Sequence, residues 1–145
     1  MDSLDTLYTI SRLAQSANVH VETIRYYERT GLLKQPRKPL RGWRQYDRFA
    51  LQQVRFIKRC QKLGFTLLEI KELLSLRTSK SPGVCSRVAK KASAKIFEIN
   101  QRIADLEAMR DGIETLLGAC PTQEAQPSCP LLVALDVEVQ ETTKL

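Results

Sequence analysis

The sequence predicts an all-α protein with a small β wing, in which a compact helical domain is followed by one long coiled-coil helix. Three observations lead to this fold class. Apolar residues recur at helical spacing, with capping residues between the runs, through most of residues 9–76. Residues 34–46 interrupt that pattern with two prolines and a glycine, and residues 85–118 carry a heptad repeat of apolar side chains.

Length and composition place the chain among ordinary folded proteins. It has 145 residues, of which 43% are hydrophobic and 27% are charged, and this balance excludes wholesale disorder. No apolar run approaches the roughly 18 residues of a membrane span, so we expect no membrane partner. The first residues are acidic and lack the basic and apolar regions of a secretory signal, which predicts a cytoplasmic protein.

The positive charge is concentrated in the first part of the chain. Residues 1–80 hold 16 Lys and Arg against 7 Asp and Glu, a net charge of +9, whereas residues 81–145 hold 7 against 9, a net charge of −2. A basic region on a small protein favours a polyanionic partner, most simply nucleic acid, over a merely solvated basic face.

Two short helices are predicted at the start of the basic region. The first covers residues 9–16 with Thr9 as its N-cap, and the second runs from His20 to Thr30. Residues 17–19 separate them, and this spacing is typical of a helix-turn-helix. Tyr27 belongs to the apolar face of the second helix but is also counted with the residues of that helix predicted to contact DNA, which are Glu22, Thr23, Arg25, Tyr26 and Tyr27.

The segment that follows, residues 34–46, is predicted to be a wing. Its prolines and glycine exclude a helix, whereas Trp43 and Tyr46 favour short extended pieces. Five Lys and Arg residues are interleaved with these aromatic residues, which fits a basic hairpin on a phosphate backbone. An ordinary basic surface loop is the alternative. The wing residues predicted to contact DNA are Arg41, Arg44 and Tyr46.

A third and a fourth helix complete the first domain. Asp47 is predicted to cap the third helix, on which Arg55 and Arg59 face outward and join the predicted DNA-binding residues. Thr66 and Glu69 have the spacing of a capping box and open the fourth helix. The DNA-binding domain is therefore predicted over residues 1–76, with a linker over residues 77–84.

One long helix is predicted over residues 85–118. At about 1.5 Å per residue it is roughly 50 Å long, which is too long for the core of a small domain. Its apolar stripe therefore needs a partner, and a homodimer through this helix is favoured over a helix that folds back on the first domain. The residues predicted to form the dimer seam are Ile96, Ile99, Ile103, Leu106, Ile113 and Leu117.

The four cysteines differ in their predicted settings. Cys60 lies on the apolar face of the third helix and is expected to be a small core residue. Cys85 opens the long helix, and Cys120 and Cys129 bracket a loop just beyond its end. In one chain Cys85 and Cys120 would lie about 50 Å apart, given the helical rise.

An antiparallel dimer would remove that separation, because the start of one long helix then lies beside the end of the other. Cys85 of one subunit would meet Cys120 and Cys129 of its partner, and three thiolates suit a soft metal ion. Residues 119–135 are therefore predicted to be a metal-binding loop and terminal segment, and residues 136–145 a tail. A redox switch, a Cys120–Cys129 disulfide and inert thiols are the alternatives.

Two other classes of protein are alternatives to a DNA-binding protein that binds a soft metal ion at its thiols. A thiol enzyme needs a base near its nucleophile, but the single histidine, His20, lies in the predicted DNA-reading helix and no catalytic set is apparent. We therefore predict a protein that is not an enzyme. An architectural DNA-binding protein with structural zinc at its thiols is the second alternative.

Four stretches of the sequence resemble the MerR family of transcriptional regulators: Tyr8–Ala14, Val21–Leu33, Arg41–Tyr46 and Phe56–Ile70. The block Thr-Ile-Arg-Tyr-Tyr-Glu within the second is the most specific. The resemblance implies a winged helix-turn-helix domain, a linking helix and an antiparallel coiled-coil homodimer. It also implies a palindromic double-stranded DNA operator, repression without the effector, and activation by a distortion of promoter DNA that lets RNA polymerase engage both promoter elements.

The resemblance extends to the effector. Cys85, Cys120 and Cys129 resemble the three-thiolate site of the family's mercuric-ion regulators, which implies Hg(II) bound between subunits. Zinc-sensing members carry an extra cysteine where this chain has Ala119. Some lead and cadmium sensors share a comparable trio, often with a further cysteine where this chain has Asn18, so Pb(II) or Cd(II) is the alternative effector.

Overall fold

The computed structural model describes residues 6–118 and 129–136, which form six helices. The chain divides into two compact units, Met1–Lys95 and Ile96–Leu145. No helix in the described ranges has the length and apolar character needed to span a bilayer. The prediction of a helical protein is confirmed, and the helices are α1 (Ile10–Ala17), α2 (Val21–Arg29), α3 (Arg48–Lys62), α4 (Leu67–Thr78), α5 (Val84–Gly118) and α6 (Pro130–Asp136).

Side-chain caps start three of these helices, as predicted. Thr9 accepts a hydrogen bond from the backbone N–H of Arg12 at 3.3 Å, and Asp47 accepts one from Ala50 at 2.8 Å. A capping box opens α4, where the Thr66 hydroxyl and the carboxylate of the third residue each accept the other's backbone N–H. Each cap satisfies a backbone donor that the first turn leaves without an intrahelical partner.

The turn between α1 and α2 depends on Asn18. Its φ of 54° lies in the left-handed region, which asparagine tolerates better than most residues. The Asn18 N–H donates to Gln15 at 3.1 Å and the Val19 N–H donates to Ala14 at 2.9 Å, which closes the end of α1. The predicted helix-turn-helix is therefore present.

The core of the first unit lies among α1, α2, α3 and α4. Gly31, at φ 77°, turns the chain after α2 so that the next two leucines enter this core. Burying such side chains removes apolar surface from water, which is the main stabilising contribution to a small domain. The buried residues are Leu13, Ala14, Ile24, Tyr27, Leu32, Leu33, Tyr46, Leu51, Val54, Ile57, Cys60 and Ile70.

The segment predicted to be a β wing, residues 34–46, contains no strand within the described part of the chain. Its β structure is a single antiparallel bridge in which Tyr8 and Tyr46 exchange two backbone hydrogen bonds of 2.8 Å. Pro36 and Pro39 have no N–H to donate, which limits any longer ladder. A basic non-helical segment is present, and its β character is not confirmed.

Helix α5 carries the predicted dimer seam on an exposed face. The helix begins one residue before the predicted start, and α4 extends to Thr78, so the linker shortens to residues 79–83. Among the seam residues, exposure ranges from 38% at Ile99 to 64% at Leu117. Such a row of exposed large apolar side chains is unusual for a monomer. The short helix α6 lies in a segment for which the sequence predicted only a loop and terminal segment.

Candidate functional site

The outward face of α2 carries the residues predicted to read DNA. Glu22, Arg25 and Tyr26 are exposed and Thr23 is half-buried. The Arg25 guanidinium donates to the Glu22 carboxylate at 2.6 Å, one helical turn away. Because both side chains are exposed, this pair is weak in water and can open to let Arg25 meet a phosphate or a base edge.

Tyr27 does not belong to that face. Its side chain is 1% exposed, and its hydroxyl donates to Gln61 on α3 at 2.7 Å. Burial raises the pKa of this phenol. Tyr27 is therefore a core residue that links α2 to α3. Its burial confirms the predicted place on the apolar face, one turn after the buried Ile24, and corrects the prediction that Tyr27 contacts DNA.

The prediction that Tyr46 contacts DNA is corrected for the same reason. It is 1% exposed, and its hydroxyl donates to Glu28 Oε1 at 2.7 Å. Burial and the neighbouring Glu28 carboxylate raise the pKa of the Tyr46 phenol. Together with the backbone bridge to Tyr8, this contact fixes the end of the wing segment against α1 and α2. Tyr46 therefore holds the wing segment from the core side, where its side chain is buried.

A cleft of about 570 Å³ opens between the start of α1, α2 and the wing segment. Three cationic side chains line it, those of Arg25, Lys38 and Arg44, and Arg44 Nε donates to the Pro36 carbonyl at 3.1 Å. Trp43 also lines the cleft and is 81% exposed. Positive charge beside an exposed aromatic ring suits a nucleic-acid backbone and its sugars.

Glu28 is a residue that the sequence analysis missed. One carboxylate oxygen accepts from Tyr46, and the other, Oε2, is buried without a hydrogen-bond partner among the described residues. The residue lies on α2 one turn after Arg25 and lines the same cleft. A glutamate at the end of a helix reads as a surface residue in sequence, so only the fold reveals its link to the wing segment.

The remaining predicted DNA-binding residues are exposed. Arg41 lies on the wing segment, and Arg55 and Arg59 lie on α3. Arg55 also donates from its guanidinium to the Ser16 carbonyl at 3.0 Å. It therefore satisfies a carbonyl in the last turn of α1 and adds favourable charge at that helix end.

The cysteines differ in accessibility, which separates core from candidate ligand. Cys60 is 7% exposed, and burial raises the pKa of its thiol, as expected of an inert core residue. Cys85 is exposed in the first turn of α5, and Cys129 is exposed directly before α6. Cys120 lies outside the described residues. Within the residues described for this single chain, no three Cys, His, Asp or Glu side chains come together as a metal site.

Two family models match the chain. The model of the MerR HTH family regulatory protein covers residues 8–76, which span the helix-turn-helix, the wing segment and α4 up to Leu76. A second model, described as MerR, DNA binding, covers residues 51–116 and so includes most of α5. The first model covers the exposed basic residues of α2 and the wing segment, and the second covers every predicted seam residue except Leu117.

Known proteins resemble the chain over nearly its whole length. A mercuric resistance operon regulatory protein from Shigella flexneri is 38% identical over 130 residues, which cover 90% of this chain and 88% of that protein. The structure of the dual function transcriptional regulator MerR from Bacillus megaterium with a mercury(II) ion matches with a TM-score of 0.70 and 33% identity, covering 88% of this chain and 98% of that one.

A lead(II) complex matches as well. The transcription regulator PbrR691 from Ralstonia metallidurans, solved in complex with lead(II), gives a TM-score of 0.77 at 32% identity, covering 87% of this chain and 97% of that one. These similarities extend over most of the chain, and the two family models cover its helix-turn-helix and most of its long helix. This chain belongs to the MerR family of helix-turn-helix transcription regulators.

Proposed function

We propose that this protein is a mercury-responsive transcription regulator that represses its promoter without metal and activates it when Hg(II) binds. The observation that carries the proposal is the exposed Cys85 thiol in the first turn of α5, in a chain whose relatives include mercuric resistance regulators. An exposed thiol at the start of a helix is accessible to a soft metal ion.

The DNA-binding part of the proposal rests on exposed basic and aromatic residues of the first unit. Arg25 and Tyr26 on α2, Arg41 on the wing segment and Arg59 on α3 are all exposed. A recognition helix in the major groove, with cationic flanks on the phosphates, is the arrangement that a helix-turn-helix provides. A palindromic operator follows, because a two-fold symmetric dimer presents this surface twice.

The dimer is proposed to be antiparallel and to pair the seam on α5. The seam residues are 38–64% exposed in one chain, and apolar side chains at heptad spacing are stabilised by a second helix that buries them. An antiparallel pairing places Cys85 of one subunit near the far end of its partner's helix, where residues 119–129 follow. Only in that arrangement do Cys85, Cys120 and Cys129 supply three thiolates to one ion.

Activation is proposed to work through promoter DNA. Metal binding would favour one of two dimer conformations, and the favoured one would bend and untwist the operator so that RNA polymerase engages both promoter elements. Proteins that deform DNA use sequence-dependent flexibility in this way. The metal's chemistry is limited to coordination by the thiolates.

A second metal class has its own support. The lead(II) complex of a family member gives a high TM-score with this chain, and Pb(II) and Cd(II) also bind thiolates. We therefore keep Pb(II) or Cd(II) as the alternative effector for the same architecture.

The effector is tested by titrating the purified dimer with Hg(II) in excess small thiol, with Cd(II), Pb(II) and Zn(II) as competitors. We expect Hg(II) uptake that resists the small thiol and the competitors, together with thiolate-to-metal absorption. Tighter binding of lead or cadmium would assign those metals instead. Protein that takes up none of these ions against the competing thiol would refute a thiolate effector site.

The Arg25→Ala substitution tests the proposed reading helix. A specific contact from this guanidinium contributes about 1–3 kcal/mol, so we expect the operator Kd to rise roughly 5- to 150-fold at fixed salt. A base contact would change sequence preference, whereas a phosphate contact would reduce the salt slope by about one. Fluorescence anisotropy with a labelled duplex measures both effects.

The matched control is Arg102→Ala. Arg102 is an exposed arginine on α5 that pairs with Glu98 at 2.7 Å, as Arg25 pairs with Glu22. The control removes the same charge outside the proposed DNA surface, so its operator Kd should stay within about twofold of the unchanged protein. Equal losses in both variants would mean that net charge, and not the α2 surface, sets the affinity.

A further inference from the structure

Lys95 is the one buried charged side chain among the residues that the structure describes, with 5% exposure. Its ammonium lies 2.9 Å from Glu69 Oε2 and 5.5 Å from the centre of the Phe65 ring. A lysine is rarely buried unless partners replace its water. Here a carboxylate and an aromatic face do so at the point where the first turns of α5 meet α4.

Glu69 serves both helices. Its Oε2 atom also accepts the Thr66 backbone N–H at 2.7 Å, while the Thr66 hydroxyl accepts the Glu69 N–H at 3.3 Å. The Thr66 N–H and the Lys95 ammonium both donate to this carboxylate and hold the pKa of Glu69 below its usual value. The group that starts α4 is thus the same group that holds α5.

A second ion pair defines the direction of the contact. Lys91, one turn before Lys95, pairs with Glu72, one turn after Glu69. Because the earlier lysine pairs with the later glutamate, α4 and the start of α5 run antiparallel where these two ion pairs form. Lys91 and Glu72 are 36% and 48% exposed, so water weakens their pair. In the other pair Lys95 is 5% exposed and Glu69 is 35% exposed, so water weakens that pair less.

We propose that Lys95, through Glu69 and Phe65, is a positioning residue that fixes the start of α5 on the DNA-binding domain and thereby sets the half-site spacing that the dimer accepts. The proposed seam begins at the next residue, Ile96, on the same helix. In a two-fold dimer, the distance between recognition helices depends on how each DNA-binding domain is held to its seam. This inference rests on the proposed function only in taking the protein to be a DNA-binding dimer.

The test uses Lys95→Met, which keeps the aliphatic length, Lys95→Arg, which keeps the charge, and Lys91→Met as the exposed control. An operator is selected from a random duplex pool with the full-length protein, and a second duplex carries one extra base pair between half-sites. The extra pair rotates one half-site by about 34° relative to the other. The measured quantity is the Kd for the duplex with the extra base pair divided by the Kd for the selected duplex.

We expect Lys95→Met to reduce this ratio about fivefold, which corresponds to a modest coupling between contacting residues. Lys95→Arg should restore the ratio, and Lys91→Met should leave it unchanged. If Lys95 has only a structural role, Lys95→Met should weaken binding to both duplexes equally and leave the ratio unchanged. That result would overturn the proposal. If Lys95→Met is too unstable to assay, Glu69→Gln replaces it, because the amide oxygen still accepts from Thr66.

Amide hydrogen exchange provides a readout that needs no DNA. The backbone amides of residues 84–95 should exchange faster in Lys95→Met than in Lys91→Met, because the ion pair between Lys95 and Glu69 no longer holds the start of α5 on α4. Equal exchange in the two variants would overturn the anchor. If the unchanged protein selects no duplex at all, the proposed function fails, and the exchange experiment still decides whether Lys95 anchors α5.

Discussion

The Cys85→Ser variant is expected to lose its transcriptional response to Hg(II) while it still binds the operator. The change replaces an exposed thiol with a hydroxyl, a hard ligand that Hg(II) disfavours, and leaves two of the three proposed cysteine ligands. Changes in groups that only support metal ligands cost about 10- to 100-fold in affinity. Loss of a ligand should therefore lower the Hg(II) affinity by more than about 100-fold, so that Hg(II) at a concentration that saturates the unchanged protein no longer induces transcription from the cognate promoter in vitro.

The matched control is Cys60→Ala, which removes the buried core thiol. This variant should keep its response to Hg(II) and lose about 1 kcal/mol of unfolding free energy, because a small core side chain is shortened. Operator affinity in both variants should match the unchanged protein. A Cys85→Ser protein that still responds fully to Hg(II) would remove Cys85 from the proposed site and, with it, the argument for ligands shared between subunits.

The helical part of the fold could be predicted because its signals are local. Thr9, Asp47 and Thr66 cap helices in the structure as their sequence positions indicate. Asn18 and Gly31 mark the two turns before and after α2. Caps and turn residues act within three or four positions of the chain, so a single sequence contains the information needed to place them.

The burial of Tyr46 was not predicted, and that of Tyr27 was indicated only by its place on the apolar face of α2. Tyr26 and Tyr27 are adjacent, yet one is 43% exposed and the other 1%. Tyr27 donates to Gln61 on α3, a partner that is 34 residues away in sequence. Tyr46 likewise needs Glu28 and Tyr8 to define its place. Long-range partners decide whether a basic, aromatic segment presents its ring to DNA or to the core.

Lys95 shows a further limit of the sequence. It lies within a heptad pattern one position before a seam residue, where a lysine is normally a solvated flanking charge. Its burial comes from Glu69 and Phe65 on the preceding elements. The capping box that includes Glu69 was predictable, but its second use as a partner for α5 depends on tertiary packing.

The Ile103→Glu variant is expected to separate the dimer and to abolish high-affinity operator binding. Ile103 lies in the middle of the seam and is 48% exposed in one chain. Burying an unpaired carboxylate costs roughly 3–5 kcal/mol, and a symmetric dimer contains the change twice. The dimer Kd should therefore rise by more than about 1,000-fold, since each 1.4 kcal/mol is a factor of ten.

Sedimentation equilibrium measures the dimer Kd, and anisotropy with the operator duplex measures its consequence for DNA binding. The matched control is Gln101→Glu, which adds the same charge at an exposed position two residues away, outside the seam pattern. It should remain dimeric because its carboxylate stays in water. A dimeric Ile103→Glu protein would show that the α5 stripe does not pair with a second copy. The stripe would then need a partner within its own chain, and the antiparallel arrangement that joins three cysteines would lose its basis.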